Sequence, residues 1–487
     1  MEITDLTPAE TRVWRAYATG AHVDFRTADD EDAADGAGWG AGRSVRAAVL
    51  RALLLDGPRQ DGEIPALDVA GARISGRLDL SYASVEDPVR LRHCHFEEPP
   101  RLYAGRLREV NLSESVLPGL VAHAARVDGA LRLTRARCHG PVRLGGAEVS
   151  GSLYLESVRV DAPDETVPAL QLNQAVLGAD LWAPGLRVRG EARLTGIRVT
   201  GTVNLAEAVL DHAGGSALYA ETLTADADVL LRRAELRGRC ELRGARIAGR
   251  LDLSHALLSN PGGIALRASS SEIGELWLRQ GPVVKGSLNL RRTRLDVLFV
   301  EPEVLPDEVY VNDLTYTSLL PHEPAARRLP MLERGPDPYL PFTYEQLTAA
   351  YRRIGDEDAA RRVQLAKQRR HRRTLPWYAR LWGYLQDATV GYGFRPLRAG
   401  IWLLSLLAVG SAVYRVHPPP PLKPAEAPEF DPVFYTLDLL LPVISFGQEG
   451  AFAPLGWYRT LSYVLIVTGW ILATTVIAGL TRTVSRG

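Results

Sequence analysis

The sequence predicts a mainly β fold class: a parallel β-solenoid with an N-terminal helical cap, a helical hairpin adaptor and a C-terminal two-helix membrane unit. Three observations predict it. A glycine-led, leucine-rich unit recurs through the middle of the chain, a capping motif opens a helix at Thr7, and two apolar spans after residue 398 enclose a shorter apolar stretch. The expected boundaries are 1–60 for the cap, 61–320 for the solenoid, 321–398 for a linker, hairpin and basic juxtamembrane segment, and 399–487 for the membrane unit.

At the start, Thr7, Pro8, Ala9 and Glu10 read as N-cap, first-turn proline and capping-box glutamate of a helix ending near Gly20. Ser44 to Leu55 reads as a second amphipathic helix, and the acidic, glycine-rich stretch Asp29 to Gly42 between them as a flexible loop. A solenoid needs such a cap because an open terminal coil exposes pairing edges.

The repeat is Gly-x-aliphatic-x-Leu, at Gly76, Gly129, Gly140, Gly151, Gly190, Gly201, Gly238, Gly249 and Gly286, with several neighbours 11 residues apart. A longer period of 48 residues links Gly201 to Gly249 and Gly214 to Gly262. In Gly249 to Leu253 apolar and polar residues alternate, so Leu251 and Leu253 point inward while Arg250 and Asp252 point outward. Fixed-period self-similarity marks a solenoid whose coils bury their apolar faces only against neighbours. The next inward pair, Ala256 and Leu258, begins five residues on. Such steps resemble the pentapeptide-repeat type of right-handed β-helix, with glycine permitting the tight corners. Coils of about 22 residues stacked at about 4.8 Å predict a rod of about 55 Å over residues 64 to 317.

Thr343 to Arg373 reads as a helical hairpin. Tyr344, Leu347, Ala350, Tyr351 and Ile354 repeat at helical spacing, Gly355 and Asp356 make the turn, and Ala359, Ala360, Val363 and Ala366 continue the pattern. It is similar to one tetratricopeptide unit, which alone serves as an adaptor more often than as a peptide groove. Its basic extension, Lys367, Arg369, Arg370, Arg372 and Arg373, is expected on the membrane surface at about 1 kcal/mol per charge, or as the flank that sets topology.

Thr460 to Leu480 is 21 residues without a charge, enough to cross about 30 Å of hydrocarbon as a helix. Ala399 to Val416 is shorter and carries Arg415, so it borrows length from Trp402, Tyr414 and a snorkelling arginine. A buried helix of a globular domain is the competing reading of either span. Basic residues crowd Lys367 to Arg398, whereas His417 to Tyr458 holds one lysine and five acids; the positive-inside rule then predicts a multi-pass plasma-membrane protein with both termini cytoplasmic. Met1 to Gly20 is polar and reads as no cleavable signal, so everything before the first span is expected inside.

Composition narrows the function classes. Basic and acidic residues number 57 each, so no global basic field argues for nucleic acid as a partner. Cys94, Cys138 and Cys240 lie far apart without a CxxC, which suits a reducing compartment and offers no disulfide framework or cysteine zinc site. Cys240 takes an aliphatic slot, so core packing is its reading. Gly36, Gly38, Gly40 and Gly42 do not make a dinucleotide loop: the third glycine of either frame falls on Ala41 or Arg43 and no βαβ unit follows. His93 and His95 would share one face of a strand as a metal pair, but without a readable third ligand they read as surface histidines. No nucleophile elbow, P-loop or HExxH is present, so no catalytic, cofactor or metal residue is assigned.

Between the spans, residues 432–450 read as a re-entrant segment. Phe434 to Leu441 forms a short helix, Pro442 breaks it, and Ser445, Phe446, Gly447 and Gln448 follow as a loop. The segment looks like the two-helix pore module of potassium channels, with Phe446, Gly447 and Gln448 on Tyr-Gly-Asp and Ser445 where that family has its first glycine. A carbonyl filter needs glycine-permitted dihedrals, so this departure weakens potassium selectivity. Asp438 within an apolar run calls for a partner, a cavity or an oligomer interface. An amphipathic helix lying on the outer membrane surface is the alternative.

The whole set resembles a family of bacterial membrane proteins, common in high-GC Gram-positive organisms, that joins a pentapeptide-like β-solenoid to a two-helix membrane tail. The carrying motifs are the glycine-led units, Asn260 to Leu266, Tyr344 to Leu347 with Gly355, Ala366 and Lys367, Gly391 to Pro396, and Leu437 to Pro442. Members are often labelled membrane-associated oxidoreductases; the resemblance implies architecture, and no redox site is readable in these residues. Three functions follow as expectations: a membrane-anchored scaffold or binding and sensing rod that takes an unidentified protein or ligand, an oligomeric pore gated by the solenoid (a tetramer if it conducts), and an oxidoreductase.

Overall fold

The computed structural model describes residues 5–28, 31–162, 166–335, 339–377, 380, 396–424, 427–441 and 444–484, with only the helical backbone for 396–399 and 473–484. The chain forms two compact units, Met1–Gln346 and Leu347–Gly487.

The first unit is a parallel β-solenoid of about 11 turns. One coil shows why the sequence folds this way. Val127, Leu131, Leu133, Ala136, Cys138, Val142, Leu144 and Ala147 all face inward and are buried, while Arg126, Arg132, Arg137 and Arg143 face outward between them. Its strands Arg126–Val127, Leu131–Arg132, Arg137–Cys138 and Val142–Arg143 pair in parallel with the next coil, Val127 on Val149, Leu131 on Leu153, Cys138 on Val160 and Val142 on Leu170. Burying each leucine contributes about 1.5–3 kcal/mol, and only a stacked neighbour provides the burial.

The corners differ from the sequence expectation. The chain turns at four-residue bends whose third residue has positive φ, and that residue is mostly not glycine: Ala124, Arg135 (φ 59°), Ser157 and Gln174 all occupy it. In Leu133 to Ala136 the Ala136 N–H donates to the Leu133 carbonyl at 2.8 Å, the pattern of a turn that requires a left-handed third residue. The glycines of the repeat divide between two uses: Gly76, Gly190, Gly238 and Gly286 take positive φ, while others, such as Gly140, serve closeness. Gly140 is outside the left-handed region, and a Cβ there would lie 2.3 Å from the carbonyl oxygen of Pro118 on the preceding coil.

The 48-residue period also has a structural origin. Successive stacked partners Leu131, Leu153, Leu181, Val203, Val229, Leu251 and Leu276 show plain steps of 22 residues alternating with longer ones. The longer coils carry insertions at one edge, after Asp161, Asp211 and Ser259. One inserted coil plus one plain coil makes the repeat.

Helix α1 (Pro8–Tyr17) begins with the predicted capping box: Thr7 Oγ1 accepts from Glu10 N at 3.2 Å and Thr7 N donates to Glu10 Oε2 at 2.9 Å. Helix α2 is Ala47–Asp56; the preceding Ser44–Arg46, expected as its first turn, is a strand on Arg73–Ser75, because Val45 is buried against the first coil. Within the expected flexible loop, Ala33–Gly38 and Ala41–Arg43 are ordered 3-10 turns. They are held by Arg137 on Asp32 at 2.9 Å and by Arg43 on the Gly71 carbonyl at 2.9 Å. At the far end, helix α3 (Ala325–Glu333) closes the stack, and buried Arg328 donates to the carbonyls of Val300 and Pro321, both at 2.6 Å.

Helix α4 (Pro341–Arg353) straddles the unit boundary and α5 (Glu357–Thr374) follows after Gly355 at φ 79°. Helices α6 (Pro396–Val416), α7 (Pro432–Leu440) and α8 (Trp457–Val484) complete the second unit. Among the described residues no helix is long and apolar enough to cross a membrane; side chains are described over 400–416 of α6 and 457–472 of α8. The expected pair of membrane-crossing helices is therefore not shown.

Candidate functional site

The predicted pore-loop residues converge in a small packed assembly of α6, α7 and α8. Two glycines seat the short helix between the long ones: a Cβ on Gly410 would lie 2.4 Å from Thr436 Cγ2, and one on Gly469 would lie 2.4 Å from the Leu440 carbonyl. Tyr414, Tyr435, Leu439, Leu440, Phe452 and Leu465 form the core. Tyr414 meets Tyr435 edge-on at 4.9 Å and donates its hydroxyl to the Tyr458 carbonyl at 3.0 Å. Asp431 starts α7 by accepting from Val433 N at 2.7 Å and Phe434 N at 3.1 Å.

Asp438 is buried near the end of α7 and binds the loop that follows. Its Oδ1 accepts from Phe446 N at 2.5 Å, and its Oδ2 accepts from Gln448 N at 2.7 Å and Glu449 N at 3.1 Å. The partner that an acid in an apolar run requires is thus the backbone a few residues on. Gln448 is buried too; its side-chain amide donates to the Glu429 carbonyl at 3.0 Å, and its Oε1 accepts from Asp431 N at 3.3 Å. Gly447 takes φ 80°, and Ser445 Oγ accepts from Gly447 N at 3.3 Å. Phe446 is half-exposed and packs on Phe434 at 5.3 Å. Pro442 lies outside the described residues. The loop therefore turns amide N–H groups toward a fixed carboxylate, an arrangement that locks its shape.

The outer surface of this assembly is apolar. Ile401, Trp402, Leu404 and Val409 on α6, Phe434 on α7, and Val464, Val467 and Trp470 on α8 are exposed, Leu404 to 67%. Soluble monomers rarely present so many large apolar side chains from adjoining helices.

The predicted basic segment is helical, forming the last turns of α5. Arg369 and Arg373 are exposed and Lys367, Arg370 and Arg372 half-buried, with Trp377 beyond the helix end exposed to 77%.

On the solenoid, His93 and His95 do not share a face. His93 sits at a corner with φ 50° beside Glu114 at 3.6 Å, and His95 is in a strand with Nδ1 3.1 Å from the Ala33 carbonyl. Among the described residues no group of three potential ligands stands ready for a metal. Cys94, Cys138 and Cys240 are fully buried, and burial pushes each thiol up to about 12, which suits core packing. Two shallow surface grooves follow the bend between neighbouring strands. One, of about 730 Å³, is bordered by Glu86, Arg106, Arg108, Glu109 and Asp128, and the other, of about 470 Å³, by Asp226, Arg246, Glu272, Arg294 and Asp296. Their walls come from residues of successive coils, so no contiguous motif marks them in the sequence. No protein-family model, curated protein or solved structure matches the chain.

Proposed function

We propose that the chain is a membrane-anchored protein whose solenoid serves as a scaffold or binding and sensing rod, with both termini on the cytoplasmic side. The observation that carries this reading is the apolar exterior of α6, α7 and α8 around a buried Asp438 whose carboxylate accepts from three backbone N–H groups. That is the polarity a lipid-facing bundle needs, since every buried polar group must find its partner inside. Helices α6 and α8 have 21 and 28 residues, about 30 and 40 Å at the helical rise. The solenoid's mixed-charge grooves supply binding surface.

The test is alkaline carbonate extraction of membranes containing the full-length protein, followed by its mass and absorption spectrum in nanodiscs. Retention in the pellet and a colourless protein support a tethered rod. Release into the supernatant overturns it. A closed ring would turn the reading toward a pore, and a bound chromophore toward an oxidoreductase.

A further inference from the structure

We propose that the basic end of α5, residues 361–373, binds the phosphate headgroups of anionic phospholipids. This rests on the membrane reading above and names the lipid class. Residues 361–373 contain seven arginines and lysines and no acid, whereas Glu357 and Asp358 stand at the helix start. Complementing the helix dipole accounts for the few charges of the last turn, not for the whole block.

The block is fixed in shape. Asp356 caps α5 by accepting from Ala359 N at 2.9 Å, and Gln364 Nε2 donates to Thr348 Oγ1 of α4 at 3.0 Å. The helix persists to Thr374, so these basic side chains, Arg369 and Arg373 exposed and Lys367, Arg370 and Arg372 half-buried, stand on a helix rather than on a loose flank. Arginine forks suit phosphate oxygens, and Trp377, exposed just past the helix end, is the side chain that settles at headgroup depth.

The experiment places the full-length protein in nanodiscs of equal phosphatidylglycerol and phosphatidylcholine and counts the lipids it retains by native mass spectrometry. Phosphatidylglycerol should be enriched, falling roughly fivefold for each arginine replaced in R369Q, R370Q, R372Q and R373Q combined stepwise. The matching lysine variants should keep most of the enrichment, and added salt should erode it in the unaltered protein. Equal retention of both lipids, or enrichment unchanged by the glutamine variants, overturns the proposal while leaving membrane anchoring intact. Displacement by inorganic phosphate would overturn the lipid assignment in favour of a soluble anion. Failure to enter nanodiscs at all would overturn the membrane reading.

Discussion

Replacing Glu10 by glutamine should loosen the N-terminal cap, and the size of the effect can be worked from its contacts. The carboxylate is fully buried and accepts four hydrogen bonds, from Thr7 N at 2.9 Å, Arg46 N at 3.0 Å, Arg46 Nε at 2.7 Å and Arg46 Nη2 at 2.7 Å. Burial opposes its ionisation, but the Arg46 guanidinium and the two backbone N–H groups outweigh it and hold the pKa at about 2 against an ordinary 4.5. At about 1.4 kcal/mol per pH unit the difference would be about 3.4 kcal/mol. Arg46 is 49% exposed, so solvent screening brings the expected contribution to about 2 kcal/mol. Because the folded pKa is depressed, this stability is present above pH 4.5 and is lost as pH falls toward 2. Glu10→Gln should therefore melt about 4 °C lower at pH 7, lose protection of the α1 amides by about thirtyfold in hydrogen exchange, and converge with the parent near pH 2. An equal gap at pH 7 and pH 2, or no gap at pH 7, would refute the assignment.

Three further outcomes are expected. Gly140→Ala places a methyl against a backbone carbonyl that cannot swing aside, and should lower the denaturant midpoint by the equivalent of about 2–3 kcal/mol. Arg328→Met strips the buried Val300 carbonyl and the partly buried Pro321 carbonyl of their arginine donor, for about 2–3 kcal/mol in the same assay. Asp438→Ala leaves three loop amides without their acceptor, so chymotrypsin should cut at Phe446 far faster than in the parent, with Asp438→Asn intermediate; unchanged cleavage would show that the carboxylate does not hold the loop.

Much of the fold was legible in the sequence where the physics is local or periodic. The capping box at Thr7, the hairpin turn at Gly355, the short helix before Pro442 and the coil of about 22 residues all follow from spacing along the chain. Reading glycine as the corner residue covers only part of its use, because two demands on it look alike in sequence: freedom to adopt positive φ, and the absence of a Cβ where coils touch. The second demand depends on Pro118, one coil away. The loop 31–43 misled for a similar reason, since glycine and acid suggest mobility until Arg137 and Gly71 supply its partners from other coils.

The sequence by itself determined that this chain stacks coils, caps them with helices and ends in apolar segments, because alternation, capping and hydropathy are properties of neighbouring residues. Only the tertiary structure decided that Asp438 holds Phe446, Gln448 and Glu449 rather than facing a cavity, that Glu10 clamps Arg46 besides capping α1, and that successive coils line the grooves. Those facts depend on which distant atoms the folded backbone brings within hydrogen-bond reach, and a buried charge takes the donors that geometry offers it.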